Sequence, residues 1–226
     1  MLKGLIAVTS LAVLSAAADT PGSGDQAKVT AIFSELLRLS YPHEFRSAFE
    51  NTNGNFYIQE SVPQGESVER WTQMLTVTGT KGLSLNAQAT PERFVERIAR
   101  GFRSHCPDSF SQTPLTDAPL AGHDSYGALL ACGSVADPEG PRSEVALIVA
   151  FRGRRDYYTI QWAERGAPAA ARLVPLPPWL ARWQRLAPIR TCPILEGEGP
   201  PYVSCSAAVS PPAAPPAPDS NQKERP

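Results

Sequence analysis

Ser143-Glu144-Val145-Ala146-Leu147-Ile148-Val149-Ala150-Phe151, followed after a turn at Gly153 by Asp156-Tyr157-Tyr158-Thr159-Ile160-Gln161-Trp162-Ala163, is the stretch that decides the fold. In the first run Val145, Leu147 and Val149 alternate with Ala146, Ile148 and Ala150, so both faces are apolar, as in a strand buried in the middle of a sheet. In the second run Tyr158, Ile160 and Trp162 oppose Tyr157, Thr159 and Gln161, which gives one drier and one wetter face. A third run of the same kind, 126–135, precedes them. Consecutive strands joined by turns predict a sheet as the core of the chain.

Upstream of these strands is the clearest helix, 91–105. Thr90 suits its N-cap, Pro91 the first helical position, and Glu92 the positive end of the dipole, while Arg97, Arg100, Arg103 and His105 load the negative end. Phe94, Ile98 and Phe102 recur every four residues, with Val95 and Ala99 beside them. That stripe is expected to lie on the sheet, where burying three such side chains contributes about 5–8 kcal/mol gross.

Farther upstream, 45–50 and 55–62 flank Asn53-Gly54, a dipeptide suited to a hairpin turn, and Pro63 ends the second strand. Ser67 is expected to cap a short helical turn ending at Trp71, and 74–80 alternates as a strand. At 29–41 two patterns overlap. Val29, Ile32, Phe33, Leu36 and Leu37 fit helical spacing, whereas Leu37, Leu39 and Tyr41 alternate, which predicts a short helix passing into a strand. Downstream, Pro178 opens a final helix bearing Trp179, Leu180, Trp183 and Leu186. Strands in runs, with one long helix between them and another at the end, make an α+β domain.

The first eighteen residues read as a secretory leader. Lys3 precedes an apolar run, and Ala16-Ala17-Ala18 supplies small residues for cleavage after Ala18. The run is shorter than the roughly 20 residues that span a bilayer. An exported mature chain without a transmembrane segment, periplasmic or secreted, is therefore expected. The organisation becomes a leader 1–18, a spacer 19–28, a single domain 29–190, a disulfide-closed extension 191–206 and a disordered tail 207–226 of Pro, Ala, Ser and charged residues. The formal net charge of −1 argues against nucleic-acid binding, which needs a basic face.

Four cysteines in an oxidising compartment imply two disulfides with three possible pairings. Cys106–Cys132 and Cys192–Cys205 close the shorter loops, each stabilising by about 3 kcal/mol in the chain-entropy model. Their spacing fits no zinc motif, so no metal is expected. His43, His105 and His123 are the histidines. His123-Asp124-Ser125 holds triad residue types, but adjacent residues cannot converge as a triad requires, and a polar turn is expected. Glu60 and Glu66 could pair as glycosidase carboxylates do, a weak signal among 22 acidic residues. No Gly-rich phosphate loop or dinucleotide fingerprint is present, so no cofactor is expected. Tyr157, Tyr158 and Trp162 suit sheet packing better than a stacking platform.

One segment carries a resemblance. Phe56-Tyr57-Ile58-Gln59-Glu60-Ser61-Val62-Pro63-Gln64-Gly65-Glu66-Ser67-Val68-Glu69-Arg70-Trp71-Thr72-Gln73-Met74-Leu75-Thr76 is similar to exported bacterial proteins related to the DcrB-like and PsbP-like periplasmic or lumenal family. Cys106, Cys132-Gly133, Glu144, Gly153, Asp156 and Tyr158 fit the same pattern. The resemblance implies an antiparallel sheet flanked by helices, an α/β/α sandwich, and supplies no catalytic residues. Together with the lack of a convergent catalytic set, it points to a non-catalytic periplasmic accessory or binding protein that contacts another envelope protein. The candidate contact residues are Glu60, Glu66 and Trp71, on the loop from Glu60 to Trp71. An exported hydrolase acting on envelope material and a secreted inhibitor or effector displaying the Cys192–Cys205 loop are the alternatives.

Overall fold

The computed structural model describes residues 24–115, 120, 122–170 and 174–206; the leader 1–18 and the tail 207–226 lie outside the described residues. Along the chain run β1 (Gln26–Ile32), β2 (Glu35–Tyr41), β3 (Phe45–Asn53), β4 (Phe56–Pro63), β5 (Gln73–Thr80), α1 (Pro91–His105), β6 (Phe110–Pro114), β7 (Ser125–Val135), β8 (Arg142–Arg152), β9 (Tyr157–Gly166), α2 (Pro177–Arg185), β10 (Arg190–Pro193) and α3 (Val203–Ser206). Seven strands form one sheet in the order β3-β4-β5-β9-β8-β7-β6, and three form a second in the order β1-β2-β10. All neighbours are antiparallel.

This is a β-sandwich, and it corrects the expectation of a helix-flanked α/β/α arrangement. The cause lies at the N-terminus. Residues 29–37 form no helix: β1 begins at Gln26, inside the segment expected to be a spacer, and pairs with β2 through a turn in which Phe33 adopts a φ of 56°. β2 is buried along nearly its whole length, so its apolar residues do not alternate cleanly and mimic a helical stripe. β10 pairs with its other edge, Arg190 opposite Arg38 and Cys192 opposite Leu36.

The two sheets enclose the main core. Ile32, Leu37, Leu39 and Tyr41 from the small sheet pack with Leu75, Val77, Leu129, Leu147, Phe151, Tyr158, Ile160 and Trp162 from the large one, and Trp179 and Leu186 of the α2 region join them. Two buried carboxylates pin the layers. Asp156 accepts from the Ser34 amide and hydroxyl (2.9 and 2.5 Å) and from the Gly82 amide (2.7 Å). Glu35 accepts from the Arg154 amide (2.9 Å) and the Tyr158 hydroxyl (3.2 Å). It sits so close to Gly153 that a Cβ there would overlap its Oε2, which explains the glycine in this hairpin.

On the outer face of the large sheet, α1 packs over β7, β8 and β6. Its N-cap is as expected: Thr90 Oγ1 accepts from the Arg93 amide at 3.3 Å. Its buried line is not the aromatic stripe. Val95 and Ala99 are fully buried on Ala128, Leu130, Ala146, Ile148 and Ala150, whereas Phe94, Ile98 and Phe102 are only partly buried. Alanines at 128, 146 and 150 let the helix settle on the sheet through its own small residues, and the larger side chains are left along its flank. Both disulfides join the cysteines the loop lengths favour, Cys106–Cys132 (Cα–Cα 5.7 Å) and Cys192–Cys205 (5.8 Å).

The expected Asn53-Gly54 hairpin is present, with Gly54 at φ 58°. The short helix ending at Trp71 is not. Ser67 and Arg70 instead exchange backbone hydrogen bonds in a tight turn, with the Ser67 hydroxyl accepting from the Arg70 amide.

Candidate functional site

Because α1 covers only the β6-β7-β8 half of its sheet face, the half made by β4, β5 and β9 stays open among the described residues. Between them runs a groove of about 850 Å³. Strand alternation fixes its floor: Thr76, Thr78 and Thr80 of β5, Thr159 and Gln161 of β9, and Glu60 of β4 all point outward, opposite the core-facing Leu75, Val77, Tyr158 and Ile160. The floor is thus hydroxyl- and amide-rich. Thr78 and Thr159 hydrogen-bond through their hydroxyls at 2.7 Å, and Gln161 Nε2 donates to Thr159 Oγ1 at 3.3 Å.

One wall is the flank of α1, carrying Phe94, Ile98, Phe102 and Arg97. Phe94 stacks on Tyr157 with ring centroids 5.3 Å apart. Phe56 and Ile58 of β4 contribute apolar surface beside Glu60, and Val68, Trp71 and Met74 close one end. Trp71 packs with Val62 and Met74 under the Arg165 guanidinium, 3.8 Å from its ring centroid. The same guanidinium pairs with Glu144 at 3.0 Å. Past Phe102 a smaller apolar pocket of about 370 Å³ continues toward Gly101, His105, Cys132 and Val135.

Of the three residues singled out from sequence, the structure places Glu60 and Trp71 in the groove and Glu66 outside it. Glu66 holds the 63–72 turn: its two carboxylate oxygens accept from the Thr72 amide (2.7 Å) and hydroxyl (2.6 Å). Glu60 and Glu66 therefore form no carboxylate pair. Burial raises the Glu60 carboxyl above its ordinary range, and among the described residues no hydrogen bond or ion pair holds it. Tyr157 offers no exposed face, being 1% exposed, while Gln161 does reach the groove. Tyr158 and Trp162 are core residues, as expected.

Elsewhere the triad residue types and the carboxylate-histidine cluster are engaged in structure. His123 Nδ1 lies 3.0 Å from the Arg152 carbonyl oxygen, and the Ser125 hydroxyl bonds the Leu120 backbone, so His123-Asp124-Ser125 is the polar turn its composition suggests. Asp25, His43 and Glu44 bring potential ligand atoms within 4.8 Å of one another. Arg185 already sits among them, at 3.2 Å from Asp25 and 2.8 Å from Glu44. For Asp25, burial pushes the carboxyl up, but hydrogen bonds from Arg185 and the His43 amide outweigh it; for Glu44 the Arg185 hydrogen bond dominates, and both carboxyls fall below their ordinary range.

Sequence reasoning missed the groove itself. Thr76, Thr78 and Thr80 stand at strand spacing in a run already read as a strand, but nothing local says that no helix covers them. No protein-family model matches the chain, and no curated protein is significantly similar to it. Among the described residues no helix is long and apolar enough to cross a membrane, and two disulfides fit folding in an oxidising compartment.

Proposed function

We propose that this is a non-catalytic binding protein of the cell envelope, periplasmic or secreted, that holds a partner in the groove between α1 and the open half of the seven-stranded sheet. The half-covered sheet face carries this reading. A large concave surface with apolar walls and a few polar groups on its floor is the usual form of a binding site. Among the described residues the groove lining supplies no histidine, lysine or thiol. Of its two carboxylates, Glu144 is held by Arg165. That favours binding over the hydrolase alternative.

A photo-crosslinking residue placed at Thr76, in the intact exported protein, tests it. A discrete adduct is expected that disappears in a Phe56→Ala/Glu60→Ala variant whose thermal melt is unchanged. Equal labelling from Glu66, outside the groove, would refute the assignment.

A second reading rests on a separate observation. The Cys192–Cys205 loop exposes Ile194, Leu195 and Val203 (39, 50 and 67%), as an inhibitor or effector loop would. If that loop makes the contact, Ile194→Asp with Leu195→Asp abolishes partner recovery and the groove variant does not.

A further inference from the structure

Three properties of the groove define what could fill it, and the inference drawn from them rests on the binding reading above. The first is length. Met74, Thr76, Thr78 and Thr80 lie on one face of β5, so the floor runs roughly 20 Å, the span of about six extended residues. The second is the polarity of the floor. The outward side chains of β5 recur about every 6.8 Å, the interval at which an extended peptide repeats its own orientation. A helix or an acyl chain laid on Thr76 and Thr80 would bury their hydroxyl groups without partners, at about 1–3 kcal/mol each. An extended backbone brings a donor and an acceptor with every residue.

The third is charge. Glu144 is neutralised by Arg165, which leaves Glu60 on the floor and Arg97 on the wall without an ion pair among the described residues. The two are not equivalent. Arg97 is exposed and keeps its water when the groove is filled. Glu60 is half-buried, and an occupant covering it must bring a compensating cation or bear the cost of a stripped carboxylate. Phe56 and Ile58 flank Glu60 on the same face of β4, ready to receive apolar side chains or the methylene stem of a lysine.

We infer that the groove binds an extended peptide segment bearing a lysine or arginine, its backbone along the β5 threonines and its cation on Glu60.

Fluorescence anisotropy tests this on the whole mature protein, with a labelled peptide of about eight residues, alternating leucine and serine around one central lysine. Counterparts carry norleucine or glutamate in place of the lysine, and maltohexaose and dodecylphosphocholine serve as competitors. The lysine peptide is expected to bind saturably and about ten-fold or more tighter than the norleucine one. Glu60→Gln, folded and melting no lower than wild type, should reduce its affinity to the norleucine level, and Glu66→Gln should leave it unchanged. Lysine and norleucine peptides binding alike, or an indifferent Glu60→Gln, would overturn the basic-peptide assignment. So would displacement by the sugar or the lipid analogue with no peptide selectivity. Thr76→Trp, which fills the floor, separates the two levels: if it abolishes binding of whichever probe succeeds, the groove stands as the site, and if it has no effect, the groove reading itself falls.

Discussion

On one face of one sheet, β8 presents Ala146, Ile148 and Ala150 while β5, two strands away, presents Thr76, Thr78 and Thr80. The same backbone geometry carries opposite chemistry. The alanine-rich half is shaped for close approach: α1 seats Val95 and Ala99 on it, and little space remains. The threonine-rich half keeps β propensity through branched side chains; Thr78 is buried and bonded to Thr159, while Thr76 and Thr80 leave hydroxyls for water or a ligand. Composition at alternate positions therefore separates the part of this face that seats the helix from the part that lines the groove.

The contrast can be broken most directly from the covered side. Ile148, fully buried under α1, should lose about 2–5 kcal/mol on truncation to Ala, from lost transfer energy plus a residual cavity. Urea unfolding measures this, and a loss below 1 kcal/mol would mean that the helix does not depend on its seat. Cys106→Ala with Cys132→Ala removes the tether between the end of α1 and β7 across a separation of 26 residues. It should cost about 3 kcal/mol by the chain-entropy estimate, with hydrogen exchange rising over α1 rather than over β4 and β5.

Phe102 sharpens the boundary. Its place in the aromatic stripe implies a core residue, for which truncation costs about 3–5 kcal/mol. As a half-buried wall of the groove it should lose about half of that, roughly 2 kcal/mol, while probe binding weakens more than stability does. The smallest effect belongs to Glu60. Burial raises its folded-state carboxyl, so folding favours the protonated acid. The ionised form is a small liability at neutral pH, and it vanishes as pH falls below the unfolded value near 4.3. Glu60→Gln should slightly raise the thermal midpoint at pH 7, with the gain fading by about pH 4; a lowered midpoint at pH 7 would show the carboxylate to be structural.

Much of the large sheet is visible in the sequence because its signals are local. Asn53-Gly54 marks a hairpin, the 143–163 alternation marks two paired strands, and Thr90-Pro91 marks a helix start. The small sheet is hidden for the opposite reason. β10 has four residues, too few to show a period, and β2, enclosed by two strand neighbours and the core, has an apolar pattern that also satisfies helical spacing. The site was legible in part. Glu60 and Trp71 stand in the segment singled out from sequence, yet the groove between them and α1 depends on which line of the helix faces inward. The large residues of that helix suggest Phe94, Ile98 and Phe102. The alanines opposite select Val95 and Ala99, a choice settled by partners more than 25 residues distant along the chain.

The position of β2 between β1 and β10 also orders events in time. A chain made from its N-terminus can pair β1 with β2 early, but β2 keeps a bare edge until residues 190–193 have emerged. Arg185 must likewise arrive before Asp25 and Glu44 gain their counter-ion. Such long closures slow folding and leave strand edges open to wrong partners. The nascent protein should thus pass through a state in which its large sheet has formed and its smaller one is unfinished, and the last step of maturation is the docking of its C-terminal strand.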